Sequence, residues 1–79
     1  MTDPLAEAAG LYDAAAAELA LAAEHCRTAA QHFRDRLVPR GAAHAWAAHG
    51  HIREAQERLE TQAREHARRS NPTPDEEAS

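Results

Sequence analysis

The residues with the clearest chemical potential in this 79-residue chain are its six histidines, five of which lie in the middle of the sequence. The five are His25, His32, His44, His49 and His51. Together with the nearby Cys26, they are residue types that bind divalent transition metals. Ligands on one helix need spacings of three or four residues, whereas the gaps within each half of this group are seven, five and two. A metal site would therefore need ligands from two helices or two chains; the other interpretation is polar histidines on helix surfaces.

The remaining reactive groups do not form the pattern of an enzyme. Cys26 occupies a position in an apolar repeat, where a thiol acts as a small apolar filler. The arginines of the second half could resemble a phosphate-binding stripe, but the glutamates between them favour a solvated, self-paired surface. The sequence has no nucleophile–base–orienter set and no phosphate-binding glycine loop. We therefore predict that the protein is not an enzyme and needs no cofactor, with a divalent transition metal as the alternative.

Composition argues against several other classes of protein. Alanine supplies 21 of the 79 residues, and the large apolar residues are six leucines and one each of Val, Ile, Met, Phe, Trp and Tyr. Too few large side chains remain to wall a substrate pocket, and no apolar run approaches the ~18 residues of a membrane span. The net charge of −4 gives no reason to expect nucleic acid as a partner.

Arginine without lysine is typical of a GC-rich bacterial genome, and a single cysteine fits a reducing cytoplasm.

Proline and capping residues divide the chain into two helices. Asp3 and Pro4 are typical of an N-cap and a first helical residue, and Pro39 is predicted to end the first helix by holding Val38 extended. The predicted helices cover about 4–36 and 41–69, with a turn at 37–40, in one domain over 1–69. Residues 70–79 lack large apolar groups and are predicted to be a disordered acidic tail. Three glutamate–arginine pairs at a spacing of four should support the second helix: Glu54–Arg58, Glu60–Arg64 and Glu65–Arg69.

The first helix carries an apolar repeat whose spacing alternates between three and four residues, which is the coiled-coil period. Its members alternate between a larger group and alanine: Leu5, Ala8, Tyr12, Ala15, Leu19, Ala22, Cys26, Ala29 and Phe33. The second helix has a matching repeat of Ala45, Ala48, Ile52, Ala55, Leu59 and Ala63. Opposite net charges, −3 for residues 1–39 and +2 for 40–69, favour their pairing. The predicted fold is all-α, an antiparallel alanine-rich hairpin of two long helices. The expected neighbours across it are Cys26 with Ile52, Leu19 with Leu59, and Phe33 with Ala45.

The second helix contains a small residue, an aromatic residue, a glycine, an alanine and a large residue at Ala43, Trp46, Gly50, Ala55 and Leu59. Their spacing resembles that of a tetratricopeptide unit. The resemblance covers residues 40–62 and then fails, since Gln62 and Ala67 stand where a small residue and a proline are usual. A solenoid needs about three repeats, so we interpret the match as ordinary helical periodicity. The resemblance nevertheless implies a possible break of the second helix at Gly50.

Three large apolar residues lie outside the repeat and indicate association. Leu11, Leu21 and Trp46 would expose apolar surface on a lone hairpin, and such surface usually marks an interface. Two hairpins packed as a homodimeric four-helix bundle would bury it. We therefore predict a small, non-catalytic helical module for protein–protein interaction or assembly that self-associates. The alternatives are a small metal-binding protein that uses the histidine cluster, and a regulatory module that folds on binding an unidentified protein.

Overall fold

The protein is a hairpin of two long helices. A computed structural model describes residues 3–70, which form α1 (Pro4–Arg34) and α2 (Val38–Arg69), packed against each other along their length. The all-α fold and the pairing of the two helices are therefore as predicted. Over the described residues, neither helix is long and apolar enough to cross a membrane. The predicted tail lies outside the described residues, apart from Ser70, which follows α2.

Proline stands in the first turn of both helices, where its missing N–H leaves no helical bond unmade. Asp3 caps α1 as predicted, since its Oδ1 accepts a hydrogen bond from the Leu5 amide at 2.9 Å beside Pro4. Pro39 instead occupies the second position of α2. The prediction that it ends the first helix and holds Val38 extended is therefore wrong. Val38 is already helical, and α2 begins three residues earlier than predicted.

α1 ends through a local backbone motif, two residues earlier than predicted. Arg36 adopts a left-handed conformation with φ 63°. Its amide donates to the Phe33 carbonyl at 3.0 Å, and the Leu37 amide donates to the His32 carbonyl at 2.8 Å. This pair of bonds is a Schellman motif, which satisfies the last carbonyls of a helix. The turn accordingly spans residues 35–37 and not 37–40.

α2 continues through Gly50 without a break, so the division implied by the tetratricopeptide resemblance does not occur. A Cβ at Gly50 would meet no atom within 4 Å, whereas a Cβ at Gly41 would lie 2.7 Å from the ring of Phe33. Gly41 is thus the glycine whose small size the packing requires. It lets α2 approach the end of α1 closely just after the turn.

Small residues make the interface between the helices. The buried apolar residues among 3–70 are all alanines, and with the buried Gly41 they recur every seven residues along each helix. We term this set the alanine seam: Ala15, Ala22 and Ala29 of α1, and Gly41, Ala48 and Ala55 of α2. Most larger members of the predicted repeat lie beside the seam and are exposed: Leu5, Tyr12, Leu19, Cys26, Phe33 and Leu59. The members of the repeat that are buried are all alanines, because helices in contact through methyl groups lie too close for larger side chains between them.

Surface ion pairs follow the predicted pattern on α2 with one exception. The two confirmed pairs are Glu54–Arg58 at 3.8 Å and Glu60–Arg64 at 4.0 Å. The third prediction is wrong, because Glu65 pairs with Arg68, three residues on. The Nε of Arg69 donates to the backbone carbonyl of Glu65 at 3.4 Å instead. All these groups are solvent-exposed, so each pair stabilises the helix only slightly.

Candidate functional site

Two different faces flank the alanine seam. A helix turns about 100° per residue. The residue three positions after a seam residue and the residue four positions after it therefore lie on opposite sides of the seam. On one side lie Glu18, His25 and His32 of α1, with His44, His51 and Arg58 of α2. On the other side lie Tyr12, Leu19, Cys26 and Phe33 of α1, with Ala45, Ile52 and Leu59 of α2. We term the first set the histidine face and the second the apolar face.

Four histidines form a row across the two helices. Successive ring centroids lie 5.3 Å apart for His32 and His44, 5.2 Å for His44 and His25, and 5.4 Å for His25 and His51. The closest contact joins the Nδ1 atoms of His25 and His44 at 3.0 Å, where one ring donates and the other accepts. The rings of His25 and His51 are nearly parallel, with planes 14° apart. All four residues are half-buried, so this histidine row is part of the contact between the helices.

The row ends at the carboxylate of Glu18, which is not among the predicted site residues. Oε2 of Glu18 lies 2.6 Å from Nδ1 of His51, and the two side chains are 24% and 30% exposed. This hydrogen bond orients the His51 ring and places its proton on Nδ1. A signal was present in the sequence, because Glu18, His25 and His32 are spaced by seven residues. Residues at that spacing lie in line on one helix.

The fold divides the predicted histidine cluster. It brings together His25, His32, His44 and His51. His49 is exposed and lies apart from the row, with its ring edge-on to Trp46 at a centroid distance of 6.1 Å. Cys26 is a free, exposed thiol on the apolar face. Within residues 3–70, no three His, Cys, Asp or Glu side chains are placed to hold one metal ion together.

The apolar face carries large side chains that the seam does not bury. Four of them, at 39–54% exposed, are Tyr12, Leu19, Phe33 and Leu59. Near the turn, Phe33 lines a shallow depression together with Ala45 and Trp46. The result is a strip of apolar surface that runs along both helices beside the seam.

The three predicted interface residues do not share one face. Trp46 is 75% exposed and borders the apolar face through its depression with Phe33. Leu21 comes three residues after Glu18 and four before His25, a spacing that places it on the side of the histidine face. Leu11 comes seven residues before Glu18 and lines a separate depression at the open end of the hairpin. An interface on either side of the hairpin would therefore use only part of the predicted set.

No protein-family model, no curated protein and no solved structure matches the chain.

Proposed function

We propose that the protein is a non-catalytic helical assembly module that forms a homodimer, a four-helix bundle, through its apolar face. One observation carries the proposal: the seam buries alanines, while the large apolar side chains beside it are exposed. Burying a leucine or phenylalanine side chain contributes roughly 1.5–3 kcal/mol, against about 0.8 kcal/mol for a methyl-sized group. Much of the hydrophobic stabilisation available to the chain therefore lies outside a single hairpin.

The side of the hairpin that carries the apolar face is large enough for a second copy of the same chain. Helices of 31 and 32 residues, at about 1.5 Å per residue, give the hairpin faces of roughly 45 Å by 20 Å. That area is close to the ~800 Å² that each partner contributes to a standard stable interface. Two copies related by a two-fold axis would bury the same patch on each other.

The chemistry of the face supports the same partner. None of the seven residues that define it is Asp, Glu, Arg, Lys or His. Two such faces can meet without burying an unpaired ion, which would cost several kcal/mol. A partner with charged side chains at its centre would incur that cost. Apolar contact between identical faces is therefore the arrangement that this surface favours.

Two matched variants test the proposal by sedimentation equilibrium at micromolar concentration. Leu19 and Leu21 lie two residues apart on α1 and are 47% and 42% exposed, but they stand on opposite sides of the hairpin. Leu19→Glu should convert the dimer to a monomer and lower its helicity in circular dichroism, because it places a charge in an apolar contact. Leu21→Glu should leave the dimer intact.

The outcomes that would contradict the proposal are distinct. A wild-type monomer whose melting does not depend on protein concentration would show that the alanine seam alone stabilises the fold. Dissociation by Leu21→Glu but not by Leu19→Glu would place the contact on the histidine face. Trp46→Glu gives an intermediate control, since Trp46 borders the apolar face and should weaken the dimer less than Leu19→Glu does.

A further inference from the structure

We propose that the histidine row makes the contact between the two helices sensitive to pH, and that the contact weakens when His25 and His44 both take up protons. The two residues lie on different helices and meet at the middle of the row, with their Nδ1 atoms 3.0 Å apart. Free imidazole takes up its proton at about pH 6.5, so mild acid is enough to operate such a device. The row and the apolar face lie on opposite sides of the alanine seam, so the proposal does not rest on the proposed dimer.

The contact between His25 and His44 can hold only one of two added protons. One ring donates its Nδ1–H, and the other accepts through a bare Nδ1. A first proton can enter at Nε2 of the donor ring, which leaves the contact unchanged. A second proton would have to occupy the accepting Nδ1, so both nitrogens would then carry hydrogen and neither could accept. The folded chain therefore binds one proton fewer at this pair than two separate histidines bind.

Like charges on the neighbouring rings would add to this effect. The ring centroids of His51 and His25 lie 5.4 Å apart, and those of His32 and His44 lie 5.3 Å apart. All four residues are half-buried, so salt screens charges on these rings less than it does at an exposed surface. Between residues 3 and 70, the one ion pair of a carboxylate with the row is that of Glu18 with His51. Four protonated rings would therefore face a single paired carboxylate.

The other charged groups beside the row add no net charge to it. Spacing along the helices places two acids and two bases there: Asp35, Arg40, Glu54 and Arg58. Asp35 accepts hydrogen bonds from Gln31 at 3.2 and 3.3 Å, one on each carboxylate oxygen. Glu54 pairs with Arg58 at 3.8 Å. Arg40 lies four residues before His44, so it adds to the positive charge near that ring and does not offset it.

Acid should therefore favour the unfolded chain, in which the histidines are separate and each can bind a proton. Where the unfolded chain binds one proton more than the folded chain, the ratio of folded to unfolded protein falls about tenfold per pH unit. The loss begins as the pH falls below about 6.5, so one excluded proton lowers the ratio roughly tenfold between pH 7 and pH 5. Glu18 acts in the opposite direction, since its negative charge favours a protonated His51 in the folded chain. It offsets part of the loss.

The experiment is urea denaturation of the full chain, followed by circular dichroism between pH 8 and pH 5. For the wild type we expect the ratio of folded to unfolded protein to fall roughly tenfold between pH 7 and pH 5. His25→Gln and His44→Gln each leave one ring that can be protonated with no imidazole opposite it, so each should reduce this loss to about threefold or less. His49→Gln is the matched control, because His49 is exposed and lies on the same helix as His44 but outside the row. It should keep the tenfold loss.

A variant that keeps all four rings covers the case in which a histidine substitution loosens the hairpin. Glu18→Gln removes the carboxylate that favours a protonated His51, so it should make the loss between pH 7 and pH 5 larger than in the wild type. Each loss is expressed relative to the same variant at pH 8, so a change in stability at neutral pH does not enter the comparison. Equal losses at two protein concentrations would separate the effect from dissociation of the proposed dimer.

The proposal would be overturned by a wild-type ratio that stays constant from pH 8 to pH 5. It would also be overturned by a full tenfold loss in both His25→Gln and His44→Gln, or by a loss in His49→Gln as small as the one expected for them. A smaller loss in Glu18→Gln than in the wild type would contradict it as well. So would a loss that occurs only at the protein concentrations at which a dimer forms.

Discussion

The histidine face and the apolar face differ in how each satisfies its own side chains. Both flank the same alanine seam, and their residues are direct neighbours in sequence, as in Glu18 with Leu19 and His51 with Ile52. On the histidine face, polar groups of α1 contact polar groups of α2 within one chain. On the apolar face, side chains such as Leu19 remain about half exposed. The polar groups of the histidine face are therefore paired within a single hairpin, whereas the large side chains of the apolar face are only partly covered.

A seven-residue spacing places polar and apolar side chains on opposite sides of one contact between helices. Each seam residue is followed by a polar residue three positions later and by a larger or apolar residue four positions later. The turn of the helix directs these two residues to opposite sides of the contact. The small seam lets the helices approach so closely that imidazoles on opposite helices can touch. A wider core of leucines would separate the flanking residues. The alanines thus determine the spacing on which both faces depend.

The largest effect is expected from widening the seam. Ala55 is 1% exposed, and Ala55→Leu would force the helices apart or distort them, at a cost of about 1–3 kcal/mol in the free energy of unfolding. Urea denaturation measures this loss. Ala43→Leu on the same helix is the control, since Ala43 is exposed and its substitution should change stability little. If Ala55→Leu instead raised stability, the seam would not be closely packed and would not set the spacing of the faces.

A smaller effect is expected on the histidine face alone. Glu18→Gln keeps the size of the side chain but removes the charge that faces His51 at 2.6 Å. The loss should be about 0.5–1 kcal/mol in the free energy of unfolding at neutral pH, because both groups are partly exposed to solvent. Glu24→Gln is the matched control, since Glu24 is an exposed residue of the same helix. Equal effects of the two substitutions would mean that the carboxylate contributes nothing specific to the row.

An effect of similar size, but in the stabilising direction, is expected at one of the two glycines of α2. Gly50→Ala should stabilise the helix by roughly 0.5–1 kcal/mol, since a Cβ there meets no other atom and alanine favours the helix. Gly41→Ala should gain less, or lose stability, because its Cβ would displace the ring of Phe33. The difference in Tm between the two variants measures how firmly that ring is held. A Tm increase for Gly41→Ala as large as that for Gly50→Ala would show that Phe33 moves aside without cost.

Local sequence chemistry was sufficient to predict the two helices and the residue at which the first helix begins. Asp3 followed by Pro4 predicted the N-cap, since a carboxylate and a missing amide act within one helical turn. The prediction for Pro39 is wrong for an equally local reason, because proline can follow the end of one helix or stand in the first turn of the next. The turn depends on Arg36 in a left-handed conformation, which the sequence did not indicate because glycine is the usual residue there.

The seven-residue recurrence of alanine was also determined by the sequence alone, and it predicted a close contact between the helices. Which side chains fill that contact was decided only by the tertiary structure. Leu19 and Glu18 both adjoin the seam, and their positions on α1 alone do not say what each will meet. The register of α2 brings His51 to Glu18, 33 residues away, and His44 to His25. Such pairings depend on how two helices align over their whole length, and the energy of that alignment is not contained in either helix by itself.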